Sequence, residues 1–184
     1  MLGTVLWLGL LAGCATTEGG APLRGSARLD DLFSQLRSTA SDEEAHRIEV
    51  AILRVWTVSG RPEVDLLMMR ASAQANMGDL GGALDSYDQA ALLAPDFAEI
   101  YDQRALIHAM RDEYGPAITD LQHVLTLEPR HFAALTGLGH ILLLYDEDEA
   151  ALHVFQAALA INPHLASVRE EVDQLKEKLA GVPI

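Results

Sequence analysis

Apolar side chains recur every three or four positions from about residue 29 onward, with polar ones filling the gaps. Leu29, Leu32, Phe33 and Leu36 share one side of a helix that runs to about residue 38. Ser41-Asp-Glu-Glu44 is a capping-box pattern, in which the serine hydroxyl takes up a free backbone N–H at a helix start. The helix that follows carries Ile48, Ile52, Val55 and Trp56 on its apolar side, and Gly60 and Pro62 end it. At the far end, Leu165, Val168, Val172, Leu175 and Leu179 keep the same spacing. The opposite face there is charged: Arg169, Glu170, Glu171, Asp173, Lys176, Glu177 and Lys178. A helix with one apolar stripe and one charged face suits the outer end of a stacked array, so this segment reads as a cap.

Between these ends the pattern repeats with a fixed period. Pro95, Pro129 and Pro163 stand 34 residues apart. So do Ala83, Ala117 and Ala151; Tyr87, Leu121 and Phe155; Ala90, Val124 and Ala158; and Ala71, Ala105 and Gly139. Each unit is too small to bury its own apolar face and must stack on its neighbours. Small residues let two antiparallel helices approach to about 8–10 Å. The large residue fills space against the next unit, and the proline ends the second helix. The turns are polar: Gly78-Asp79, Asp112-Glu113 and Asp146 through Glu149.

These positions resemble the tetratricopeptide repeat. The family pattern has a small residue late in the first helix, alanine early in the second, a large apolar residue after it and a closing proline. All are met here, with Leu121 in place of an aromatic. The resemblance implies an all-α, right-handed solenoid of three clear repeats, at 64–97, 98–131 and 132–165. Residues 26–63 are an N-terminal helical pair, a degenerate repeat or a cap, and 166–184 form the C-terminal capping helix and tail.

The first 13 residues are apolar and uncharged, and end at Cys14, the single cysteine. Such a run is shorter than the roughly 20 residues a membrane-spanning helix needs, and matches the apolar core of an export signal. Leu11-Ala12-Gly13-Cys14 resembles the bacterial lipobox. That resemblance implies cleavage after Gly13, lipid on Cys14 and stable anchoring by several acyl chains. Ala15 follows, which favours the outer membrane under the enterobacterial sorting rule. No Lys or Arg precedes the run, which departs from the usual signal and fits an upstream start or a minimal leader. Residues 14–25 then form a tether of roughly 18 Å reach. A plain leader with an incidental cysteine is the alternative.

Composition narrows the partners. Hydrophobic residues make up 49% of the chain but aromatics only 5%, a mix that suits stacked helices. The net charge of −14 opposes binding to nucleic-acid phosphates and to anionic lipid surfaces. It favours a basic peptide or protein face, or it simply keeps the solenoid soluble.

Reactive chemistry is sparse. We find no nucleophile motif, no phosphate-binding glycine loop and no histidine pair at ligand spacing. The seven histidines scatter (His46, His108, His123, His131, His140, His153 and His164). His108 and His140 fall on the first helices of adjacent units, yet zinc requires three or four converging ligands. The run Asp146 to Glu149 lacks the twelve-residue calcium loop and reads as a solvated turn. No catalysis, cofactor or metal is expected.

In the family the first helices line a concave groove for peptides. The repeat frame puts Asp65, Met68, Ser72, Ala75 and Asn76 there in the first unit. The second offers Glu99, Asp102, Leu106, Ala109 and Met110, and the third Thr136, His140, Leu143 and Leu144. Members that clamp a terminal carboxylate use cations where this chain has Met68, Ser72, Gln103, Leu106, Ala133 and Gly137. The surface expected is apolar with an acidic edge, suited to a hydrophobic peptide or helix with basic flanks. Two states of the groove are open: free, or occupied by the N-terminal helices. The function that follows is a non-catalytic scaffold or adaptor, lipid-anchored and periplasm-facing. A regulatory subunit of an envelope enzyme complex, or a cytoplasmic interaction protein, are the alternatives.

Overall fold

The computed structural model of the chain describes residues 23–181, and every regular element among them is an α-helix. In order these are α1 (Leu23–Ser38), α2 (Asp42–Trp56), α3 (Pro62–Asn76), α4 (Leu80–Leu93), α5 (Ala98–Met110), α6 (Tyr114–Leu127), α7 (Phe132–Leu144), α8 (Asp148–Ile161) and α9 (Ala166–Leu179). The leader, the lipobox and Cys14 lie outside the described residues. α1 begins at Leu23, two residues before the expected end of the tether at 25, with Gly25 in its first turn, where backbone N–H groups have no ladder partner yet.

The 34-residue period carries through to the helix ends. α4, α6 and α8 start at 80, 114 and 148, while α5, α7 and α9 start at 98, 132 and 166. Pro95, Pro129 and Pro163 each sit two residues past a second helix. Gly78, Asp112 and Asp146 occupy one frame position, and all three have positive φ (81°, 59° and 57°). That left-handed residue stops the first helix and turns the chain into the second.

The three helical pairs α3–α4, α5–α6 and α7–α8 stack into a solenoid that α9 closes. Ala71, Ala83, Ala90, Ala105, Ala117, Val124, Ala151 and Ala158 are buried at the helix crossings. Tyr87, Leu121 and Phe155 fill the spaces beside them. Gly139 is needed for its size: a Cβ there would lie 2.4 Å from the Phe155 ring. Burying each such large side chain contributes about 2–3 kcal/mol. Arg104 on α5 ties three helices together, bonding Asp120 of α6 through two nitrogens (2.8 and 2.5 Å) and Asp88 of α4 at 2.7 Å.

The pair α1–α2 is built as its capping box implies, with the Ser41 hydroxyl accepting from Glu44 N–H at 3.3 Å. It does not extend the stack. α2 does not run along α3 as α4 runs along α5. Instead Leu29, Phe33, Leu36, Ala45, Ile48, Ile52 and Trp56 form one core with Phe132, joined by Ala133, Ile161 and Leu165. The hairpin therefore seats on the turns that lead into α7 and α9. Three polar links edge this seat: Arg130 to Asp30 at 2.5 Å, Asn162 to Glu49 at 2.6 Å, and His164 to Asp42 at 3.3 Å. The sequence reason lies in the frame. Slid back by 34, the small anchors Ala83 and Ala90 become Glu49 and Trp56, which are too large for a repeat-type crossing.

Candidate peptide groove

Residues 34 apart on successive first helices fall beside one another, so α3, α5 and α7 present rows of side chains. Met68, Asp102 and Thr136 make one row, Ser72, Leu106 and His140 the next, and Asn76, Met110 and Leu144 the third. Between α3 and α5 the surface sinks into a concavity of about 530 Å³. Met68, Met69, Ser72 and Asn76 line one side, Glu99 and Gln103 the other, and Thr57 at the end of α2 closes it. Tyr87 forms part of its base, and burial, followed by the Glu99 and Asp102 charges, pushes its hydroxyl pKa up to about 12. No Lys or Arg lines this space.

The expected groove residues divide. Met68, Ser72 and Asn76 meet in the concavity, and Leu106 and Met110 lie beyond it on α5, each more than half exposed. Thr136 turns its hydroxyl back to the Phe132 carbonyl (2.9 Å). His140 is tied to α9, its Nε2 lying 3.1 Å from both Glu171 carboxylate oxygens, with its ring edge-on to Phe155. Leu143 is half-buried, packed on one side against the Ala151, Phe155, Val168 and Val172 core, at the frame position of the half-buried Ala75 and Ala109. Leu144, one residue on, is the exposed apolar side chain of α7.

The groove is neither fully open nor fully occupied. The N-terminal ends of α7 and α9 lie under the α1–α2 hairpin, while the α3–α5 concavity stays open. The boundary is a buried polar group that no motif announced. Trp56 stacks on His131 at 4.2 Å, between Phe33 and Phe132. His131 is 1% exposed, and both its ring nitrogens lie 3.8 Å from a carboxylate, Nε2 from Glu99 and Nδ1 from Asp102. Glu99 accepts from Gln103 at 2.9 Å. Burial above all, with the Glu99 charge adding to it, pushes the Asp102 carboxyl up to about 6.

Glu99, Asp102 and His131 are close enough to be considered as metal ligands. The histidine argues against it. Its Nδ1 caps α7 by accepting from Ala134 N–H at 3.1 Å, which leaves the proton on Nε2 and no free lone pair for a metal. His108 and His140 do not converge either: His108 bonds Glu113 at 2.7 Å, and His140 faces α9. A histidine in front of a helix start was the one sequence sign of the His131 cap.

Comparison with known proteins follows the same frame. The family model described as tetratricopeptide repeat matches residues 64–97. A TPR repeat-containing protein of Rhizobium etli is 38% identical over 154 residues, spanning 84% of this chain and 76% of that protein. Among solved structures, the first TPR of Spaghetti (RPAP3) bound to the HSP90 peptide SRMEEVD superimposes with a TM-score of 0.60 at 17% identity. That match spans 64% of this chain and 94% of the other. The crystal structure of MamA gives a TM-score of 0.60 at 20% identity, over 82% of this chain and 85% of that one.

Proposed function

The chain belongs to the tetratricopeptide repeat family, and we propose that it is a non-catalytic adaptor, tethered through Cys14 to a bacterial envelope membrane. The observation that carries the binding half is the α3–α5 concavity, with methionines on one wall, Glu99 on the other and no cation in its lining. The RPAP3 neighbour binds a peptide ending in acidic residues. An acidic peptide end finds no matching charge here and meets the Glu99 carboxylate instead. The partner that fits is a peptide or helix with an apolar centre and Lys or Arg beside it. Methionine side chains adapt to irregular apolar ligands, and carboxylates in a half-buried site favour cations.

The tether half rests on Leu11-Ala12-Gly13-Cys14 and the apolar run before it. Lipid on Cys14 would hold the groove within the reach of a short linker of the membrane surface. The outer membrane facing the periplasm is the location that Ala15 favours.

One set of cell fractions and captures tests both halves. Cys14→Ser moves the protein from the membrane to the soluble fraction. Met68→Glu, with its helical circular dichroism unchanged, loses about tenfold or more in affinity for a basic-flanked apolar peptide. Unchanged fractionation overturns the tether. Unchanged affinity, or tighter binding of an acidic-ended peptide, overturns the groove chemistry.

A further inference from the structure

The first helix of each later unit is covered by the second helix of the unit before it, and α3 is not. Ile100, Ala134 and Val168 share one frame position and are 0%, 0% and 1% exposed, whereas their counterpart Leu66 is 65% exposed. Ile107, Ile141 and Leu175 are likewise buried, and their counterpart Ala73 is exposed. The cause is the hairpin: α2 is seated on the far turns, so nothing among the described residues takes the place on α3 that α4 takes on α5. With Met69 and Met77, 70% and 76% exposed, these residues form a stripe at spacings of three, four and four along α3. That is the spacing of a helix seam.

We infer that a second copy of this chain covers the stripe, with α3 packed against α3 across a two-fold axis. Two observations select that occupant. The other end of the solenoid is closed by α9, whose exposed face carries Arg169, Glu170, Asp173 and Lys176. Each chain thus has one apolar end, so association closes at two copies and does not run on into a filament. The charges beside the stripe are also balanced, two of each sign: Arg61 pairs with Glu63 at 3.3 Å, and Arg70 offsets Asp65, in a chain whose net charge is −14. This is a face on which two otherwise repelling molecules can meet, and salt screens the remaining repulsion. Ala73, near the middle of the stripe, lets the two helices approach closely.

Light scattering and sedimentation of the full chain carrying Cys14→Ser test this. The expected species is a dimer that strengthens as salt rises. Leu66→Glu with Met77→Glu raises its dissociation constant about a hundredfold or more, with unchanged helical circular dichroism. Leu92→Glu, on a still more exposed leucine of α4, leaves the dimer intact. Adding Ala73→Cys yields a disulfide-linked dimer under mild oxidation. A monomer under all conditions overturns the inference, as it would if another segment of the chain or a different protein covers the stripe. A dimer indifferent to the α3 substitutions, or one that Ala73→Cys fails to link, overturns it equally.

Discussion

Gly139 and Asp102 are positions where a single side chain meets opposing demands. Gly139 sits inside α7, where alanine would be the better helix former by about 1 kcal/mol. Its neighbour decides otherwise, because the Phe155 ring occupies the space a Cβ needs. Gly139→Ala is therefore expected to destabilise the fold by about 1–2 kcal/mol net, since overpacking outweighs helix propensity. Chemical denaturation measures this, and a stabilised variant would show that the ring yields freely. Asp102 is held up to about 6 by burial and by Glu99, well above its ordinary 3.8. A carboxyl raised in the folded state binds its proton more readily there than in the unfolded chain. Its stabilising share is therefore greatest below about pH 4 and is lost as pH climbs through about 6. Asp102→Asn is expected to gain about 1–2 kcal/mol relative to the parent at pH 7.5 and almost nothing at pH 4. Paired unfolding curves at the two pH values check the sign; an advantage that is larger at pH 4 refutes it.

At the scale of elements, α1–α2 behaves as a separate piece joined by residues 57–61. That link turns at Gly60 (φ 73°) and is pinned where the Ser59 N–H and hydroxyl both donate to Asp65, at 3.0 and 2.6 Å. The hairpin seat is not fully satisfied. Trp56 Nε1, His131 Nε2 and His164 Nε2 are buried without partners, and each such group costs about 1–3 kcal/mol. Its hold is largely Trp56, locked between Phe33, His131 and Phe132. Trp56→Ala should release the hairpin and leave the solenoid standing, because α3 to α9 keep their own three cores. Hydrogen exchange should then lose protection in α1 and α2 by a hundredfold or more, with α5 to α8 unchanged. Equal loss throughout would mean that hairpin and solenoid unfold as one unit.

At the scale of the whole molecule, the solenoid has two unlike ends and a groove that is half covered. Much of this was legible in the chain. Proline and alanine at a fixed interval set the helix boundaries, because each mark is a local steric event: a missing N–H, a close crossing, a left-handed turn residue. The charged outer face of α9 likewise announced a capped end. The groove was legible only in part. Met68, Ser72 and Asn76 line the concavity, but Leu143 is half-buried against the last core and His140 is taken by Glu171, since neighbouring helices decide which side of a first helix stays free. Cover of the groove by the N-terminal helices was one of two open readings, but the place where the hairpin seats could not be read. Its contacts join residues about a hundred positions apart, Asp30 with Arg130 and Glu49 with Asn162, and no local pattern records such a pairing. The sequence by itself determined the repeat and its ends, because those depend on spacing along one helix pair. Tertiary structure alone decided which groove face is open, that Trp56 rests on His131 and that α3 is left bare, because these depend on where a mobile-length link lets a non-repeating hairpin find the largest apolar surface to bury.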